Sequence, residues 1–327
     1  MMKKEFIPQP PQGPWGVLLL AHGAPDKLED IPEFLLKVRE GRPLPVPAVK
    51  EIVRRYSLIG GGSPLLRITT LQAEALAKLI AHPVYVGMRN WKPFIPEAVR
   101  RLSEDGVRHV VAVCLAPQNS RTSIGLYRKY LMDAVEQVRP GLAVDFVESY
   151  HDHPGLIEAF RERAAAVLAA RQETGGPVPV IFTAHSVPER TIAEGDPYEQ
   201  QARETAALVA GAMGLTEYRM AFQSQGMTAE KWIGPTVESQ IDELAGADIK
   251  NVLLVPVGFV SDHVEILYDI DVLFHDYGKA RGVKVLRSES LNDSPRFAAA
   301  LASLITERIK PLSSDMCHEP SSDLAGI

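Results

Sequence analysis

Two stretches of the 327-residue sequence hold the side chains best suited to chemistry. The first, "VIFTAHSVPER" (Val180–Arg190), is an apolar run that stops at a histidine, a serine and a proline. The second, "VGFVSDHVEILYDIDVLFHDYGKARG", leaves an apolar run and then strings together Asp262, Glu265, Asp269 and Asp276. A lone histidine at a strand end is most often a loop cap, and an acidic stripe most often a solvated helix face. Here both begin at the carboxyl ends of apolar runs, where open α/β sheets keep their ligands. An imidazole facing a carboxylate there makes an N,O pair suited to brief binding of Fe²⁺, Co²⁺ or Zn²⁺. Two such groups hold a cation too weakly to keep it, and both accept protons, so the pair suits a metal in transit. His185 and Glu265 are the candidates, with Asp269 beyond Glu265 and His22, ending the apolar run "LLLAHGAP", across the same crevice.

From Asp262 onward the pattern predicts one long helix. At about 100° per residue, Asp262, Glu265, Asp269 and Asp276 share an arc of roughly 60°. Almost no lysine or arginine is near to pair with them before Lys279. Crowded carboxylates without cations raise one another's pKa or recruit a divalent cation. A second cluster, "KVREGRPLPVPAVKEIVRRYSLIGGGSP", sets Arg39, Arg42, Arg54 and Arg55 around a proline-broken loop, followed by a glycine triplet and Ser63-Pro64. Glycines there let backbone approach a ligand, and arginines suit carboxylates or phosphates. Neither GxxxxGK[ST] nor GxGxxG is present, which favours carboxylates. Ile31, Phe34, Leu35, Leu36 and Leu44 suit a flat apolar ligand or a core equally. Trp91, Trp232 and Tyr127 read as core plugs, His151, His153 and His275 as surface residues, and Cys114 as an inert core thiol.

The elements that must position these groups follow from hydrophobic periodicity. Eight β-rich runs (15–21, 84–88, 109–116, 143–149, 179–185, 218–224, 251–258 and 283–288) alternate with helix-period segments, the pattern of a parallel sheet covered by helices. "RQETGGPVP" (171–179) is the clearest linker and leaves four strands on each side. The halves open alike, "LLLAHGAP" against "VIFTAHSVP". The expectation is an α/β chain of two similar Rossmann-like halves, each a four-stranded parallel sheet flanked by helices, at 15–172 and 177–310. Residues 1–14 and 311–327 are expected to be disordered.

Composition removes several classes. With 35 basic and 41 acidic residues and no basic block, nucleic acid is not an expected partner. Two cysteines cannot supply the four thiolates of an iron–sulfur cluster, and their spacing fits no disulfide framework, which suits a cytoplasmic protein. No run approaches the eighteen apolar residues of a membrane span, leaving peripheral contact through the apolar segment around Phe34 as the only membrane option, and a monomer is expected.

"FTAHSVPERTIAEGDPY" (182–198), "FQSQGMTAEKWIGP" (222–235), "VPVGFVSDHVEILYDID" (255–271) and "RRYSLIGGGSPLLRIT" (54–69) resemble, in order, blocks of the ferrochelatases. The resemblance runs from about residue 15 to 310 and is nearest to the bacterial coproporphyrin III enzymes. It implies insertion of Fe²⁺, a substrate, into a porphyrin during haem synthesis, on a chelatase-like fold. It makes His185 and Glu265 the catalytic and metal-site pair, adds Asp269 as the next group on the metal path, and sets Arg39, Arg55, Tyr56, Ser63 and Tyr127 against porphyrin propionates. Arg89 and Trp91 match a pocket-wall segment. His22 stands where coproporphyrin enzymes carry an axial tyrosine, and an imidazole can fill that role. "LLLAHGAPD" also resembles the metal-binding opening of the small cobalt and sirohydrochlorin chelatases. Leu273 replaces a path carboxylate of some relatives, with Asp276 as a substitute one turn on. The alternatives are another type II chelatase acting with cobalt or nickel, and a porphyrin carrier without catalysis.

Overall fold

The computed structural model describes residues 14–170, 178–226 and 230–313. Every apolar run read as a strand forms one. In the first half these are β1 (Trp15–Ala21), β2 (Val84–Met88), β3 (His109–Cys114) and β4 (Ala143–Val147), joined in the order β2-β1-β3-β4. In the second they are β5 (Val180–His185), β6 (Arg219–Gln223), β7 (Asn251–Val255) and β8 (Lys284–Arg287), in the matching order β6-β5-β7-β8. All neighbours are parallel, so helices cover both faces and the central strands can be apolar throughout.

The helices are α1 (Ile31–Val38), α2 (Val46–Leu58), α3 (Leu65–Ala77), α4 (Ile95–Glu104), α5 (Ile124–Val138) and α6 (Pro154–Ala169) in the first half. They continue with α7 (Glu189–Ala193), α8 (Tyr198–Ala212), α9 (Val237–Gly246), α10 (Val264–Leu267), α11 (His275–Lys279) and α12 (Pro295–Ser313). α4 shows why they form: Ile95, Ala98, Val99 and Leu102 fall on one buried face, and the Glu97 carboxylate accepts the Phe94 N–H at 3.0 Å to close the first turn.

Strand alternation divides the apolar residues between three layers. Val17, Leu19, Val111 and Val113 of the first sheet share one core with Phe182, Phe222, Leu253 and Val255 of the second. Leu18, Leu20, Val110 and Ala112 face the outer helices α4 and α5, and Ile181, Val252 and Leu254 face α9 and the segment after α10. α12 folds back from the second half onto α3 and α6, so the two sheets share a helical layer. Buried polar ties reinforce it: Gln118 Nε2 donates to Thr205 Oγ1 at 3.1 Å and to the Val257 carbonyl at 3.0 Å. The enclosed Asp196 carboxylate accepts from Ser120 Oγ at 3.1 Å, the Arg121 N–H at 2.8 Å and the Tyr198 N–H at 3.0 Å. Among the described residues no helix is long and apolar enough to cross a membrane.

Three expectations are corrected. The long helix from Asp262 is interrupted: Asp262 precedes it, α10 is four residues long, and Asp269–Phe274 form a π turn before α11. Leu273 N–H bonds the Tyr268 carbonyl, five residues back, at 2.9 Å. His151 is not a surface residue; its side chain is 12% exposed and bonds Glu204 Oε2 at 3.0 Å and Ser149 Oγ at 2.7 Å. The helical C-terminus runs through Ser313, past the expected boundary at 310. Residues 1–13 and 314–327, Cys317 among them, and most of the 171–179 linker lie outside the described residues.

Candidate active site

His185 is the last residue of β5, carried to the crevice by a strand whose other residues are buried. The β7 loop must pass close to that strand end, and it does so at Gly258, where a Cβ would lie 2.8 Å from Ala184 Cα. Ring orientation follows from two contacts: Nδ1 donates to the adjacent Ser186 carbonyl, and Nε2 faces Glu265 Oε1 at 3.4 Å. Glu265 sits in the first turn of α10. His263 caps that helix, its Nδ1 accepting the Glu265 N–H at 3.2 Å, and Gln223 Nε2 donates to the Glu265 carbonyl at 2.7 Å.

Burial alone lowers the pKa of His185, but the Glu265 carboxylate, the hydrogen bond to it and the Ser186 carbonyl outweigh burial and bring it to about 9. Burial raises Glu265, and the opposing imidazolium overcomes that, leaving the carboxyl below its ordinary range. The pair is therefore an ion pair at neutral pH. Asp269, at the start of the π turn, is raised to about 6, chiefly by burial, while a hydrogen bond from the Ser224 hydroxyl works the other way. His263 is lowered by burial and stays neutral. The sequence reading passed over His263, because a helix predicted from Asp262 hides the cap that the shorter α10 exposes.

His22 enters from the other half. Its Nδ1 donates to the Gly23 carbonyl at 2.9 Å, and Asn90 Nδ2 approaches Nε2 at 2.9 Å. Gly23 has a φ of +81°, and a Cβ there would lie 2.6 Å from the Trp91 nitrogen, so glycine is required beside the imidazole. Phe34 meets the ring edge-on with centroids 6.1 Å apart, and Trp91 backs Phe34 at 6.1 Å. His22 keeps part of its surface exposed, although surrounding protein desolvates the ring. That desolvation, helped by the Arg89 charge, lowers its pKa to about 4. Burial likewise raises the phenols of Tyr56 and Tyr127, which also feel the Glu265 charge. Arg89 stacks over the Tyr127 ring at 5.1 Å, and among the described residues its buried Nη1 has no hydrogen-bond partner.

The arginine cluster divides in two. Arg54 Nε and Nη2 hold Glu51 at 2.8 and 2.9 Å, Arg55 Nε holds it at 3.0 Å, and Arg54 Nη2 reaches the Tyr268 hydroxyl at 2.7 Å. Both guanidinium groups lie over the Tyr268 ring, at 5.6 and 5.0 Å, and so bridge α2 to the start of the π turn. Arg39 and Arg42 have no carboxylate partner among the described residues; Arg42 Nε bonds the Arg39 carbonyl at 3.1 Å. Ser63 is buried, its N–H on the Pro25 carbonyl at 2.8 Å, and lines a cleft of about 510 Å³ with Arg67, Asp26 and Asp262.

The expected acidic stripe does not assemble. The cation it lacked arrives from β8: Arg287 Nη1 pairs with Asp262 at 3.1 Å and its Nε with Asp271 at 2.7 Å. Ser290 Oγ and Asn292 Nδ2 complete the Asp262 carboxylate at 2.8 and 2.9 Å. Asp276 lies beyond the π turn, with a side chain 72% exposed and His275 at 3.4 Å. Among the described residues no three His, Cys, Asp or Glu side chains converge as a metal cage. What remains is His185–Glu265 with Asp269 behind, facing His22.

The family model described as Ferrochelatase matches residues 14–309. A ferrochelatase of Acidobacterium capsulatum is 45% identical, covering 94% of this chain and 98% of its own. One of Deinococcus radiodurans is 38% identical (91% and 96%), and a coproporphyrin III ferrochelatase of Geobacillus sp. is 36% identical (90% and 98%). Among solved structures, SirB from Bacillus subtilis with Fe³⁺ superposes with a TM-score of 0.61 at 13% identity, covering 93% of this chain and 98% of that one. The sirohydrochlorin chelatase SirB with cobalt, from Bacillus subtilis subspecies spizizenii, gives 0.57 at 10% (93% and 97%). These structures share the chelatase-like α/β fold. With a family match over nearly its whole length and relatives of its own size, the chain belongs to the ferrochelatase family.

Proposed function

We propose that this chain inserts Fe²⁺ into coproporphyrin III, in preference to protoporphyrin IX, with His185 and Glu265 as the reacting pair. The observation that carries the reading is the 3.4 Å contact between His185 Nε2 and Glu265 Oε1, made across two elements at the crevice. Porphyrin enters with two pyrrole N–H protons and leaves as an Fe(II) complex without them, so two protons must depart as one dication arrives. In the resting pair the imidazolium cannot accept a proton. An Fe²⁺ drawn to the Glu265 carboxylate removes the counter-ion of His185 and drives its proton out to solvent water, so the arriving metal converts His185 into a base. His185 then takes a pyrrole proton, and Asp269, with its pKa near 6, receives the second or passes it outward.

Several features favour the more carboxylated ring. Among the described residues Arg39 and Arg42 are free of carboxylates, Arg55 keeps its two terminal nitrogens unbonded, and Arg89 Nη1 is buried without a partner. Tyr56, Ser63 and Tyr127 complete the docking surface in this reading, with His22 over the metal opposite His185. The same reading takes the enzyme as a cytoplasmic monomer with Fe²⁺ as substrate and no iron–sulfur cluster.

Anaerobic Fe²⁺ insertion into coproporphyrin III and protoporphyrin IX, followed side by side by loss of free-base fluorescence, tests it. Turnover at least tenfold faster with coproporphyrin supports the proposal. Turnover confined to protoporphyrin overturns the substrate, and tight ring binding without any insertion overturns the activity.

A further inference from the structure

We infer that Asn90 is a positioning residue that guards His22: its side-chain amide occupies the lone pair with which His22 would ligate an iron porphyrin, so the finished product is held loosely. The inference rests on the iron-insertion reading above.

The tautomer follows from chemistry. A carbonyl can only accept, so the Gly23 oxygen at 2.9 Å requires the hydrogen on Nδ1. A neutral ring with that hydrogen has its lone pair on Nε2, and Asn90, 2.9 Å away, must then present its NH₂. The neighbouring cation, Arg89, disfavours a second ring proton. Asn90 is buried, 5% exposed, and its backbone already anchors the segment: its N–H donates to the His22 carbonyl at 2.9 Å. The side chain is therefore not needed to hold the loop. An apolar residue could fill the same buried position, whereas only a donor can engage the Nε2 lone pair.

The consequence is a ligand that is present but taxed. His22 can bind iron only after the amide lets go, at the expense of one part-buried neutral hydrogen bond, which weakens axial ligation about fivefold. An unguarded imidazole would retain the metallated ring and slow its exit. His185, by contrast, turns its Nε2 to a carboxylate that a metal can replace.

The test compares wild type, Asn90→Leu, Asn90→Ala, His22→Ala and His22→Ala/Asn90→Leu in titrations with ferric coproporphyrin III, read by the Soret band, with the free-base ring as control. Expected is about fivefold tighter ferric-ring binding by both Asn90 variants, with a shifted Soret band, and free-base binding within twofold of wild type. Both effects should vanish when His22 is absent. Unchanged or weaker ferric-ring binding overturns the inference, as does tightening that survives in the double variant, since Asn90 then acts on pocket shape. Because iron-ring binding requires no turnover, wild type that fails to insert iron would sink the proposed activity while leaving this result readable.

Discussion

The Glu265 carboxylate is what keeps a proton on His185 against burial, so removing its charge should reverse the sign of the shift. In Glu265→Gln the desolvation of the imidazole is no longer opposed by its main partner, and His185 should fall from about 9 to below its ordinary 6.5, measured by NMR titration of the ring. His185→Ala should lower iron insertion at least about a hundredfold while porphyrin affinity stays within a few fold; a variant with wild-type kcat would remove His185 from the chemistry. Asp269 gives a stability signature. Its folded pKa of about 6 lies above the unfolded value of 3.8, so its contribution is fully present below about pH 4 and is lost as pH rises through 6. Denaturant midpoints of Asp269→Asn should therefore show a shallower decline between pH 4 and 6 than wild type. His185 could be singled out in the sequence because it ends an apolar run, and Glu265 because it lies a few residues beyond the next one. The tautomer of His22 was not, because its partner is 68 residues away and nothing in the local sequence marks the pairing.

The eight strands could be read from their apolar runs, since strands buried on both faces need no alternation. The π turn was hidden in a pattern taken for an ordinary helix, although a trace of it was there. Ile266, Ile270, Phe274 and Gly278 are all buried and recur every four residues, where a regular α-helix would intersperse steps of three. The wider turn lets that spacing stay on one face. Its endpoint is demanding: a Cβ on Gly278 would lie 2.6 Å from Val285 Cγ2 and 2.7 Å from the Val283 carbonyl. Gly278→Ala should cost about 1–3 kcal/mol by thermal or chemical denaturation. Deleting Val272 would place Ala280 or Lys279 nearer that contact and misalign α11 with β8, so the variant should lose far more stability than the point substitution.

At the scale of the molecule, the repeated opening "LLLAHGAP" and "VIFTAHSVP" foretold two like halves, and the matching strand orders agree. How the halves join was not legible, because a shared apolar layer looks in sequence like two private ones. The ties are long-range polar contacts such as Ser120 to Asp196, 76 residues apart. Asp196→Ala would remove the acceptor of two buried hydrogen bonds and one part-buried one and should destabilise the protein by about 3 kcal/mol in denaturant unfolding, with loss of cooperativity if the halves separate.

The matching strand orders also carry a consequence for direction. β1 and β5 hold equivalent places in their sheets, and each delivers a histidine to the crevice, His22 and His185. In the proposed reading, duplicated scaffolding offers the same ring to both faces of the porphyrin. What breaks the symmetry is one companion on each side, an amide for His22 and a carboxylate for His185. One imidazole is left uncharged and the other cationic, so a flat molecule in the gap would meet a polarised environment, unlike above and below. A frame with near twofold repetition becomes a one-way device through the choice of two partner side chains.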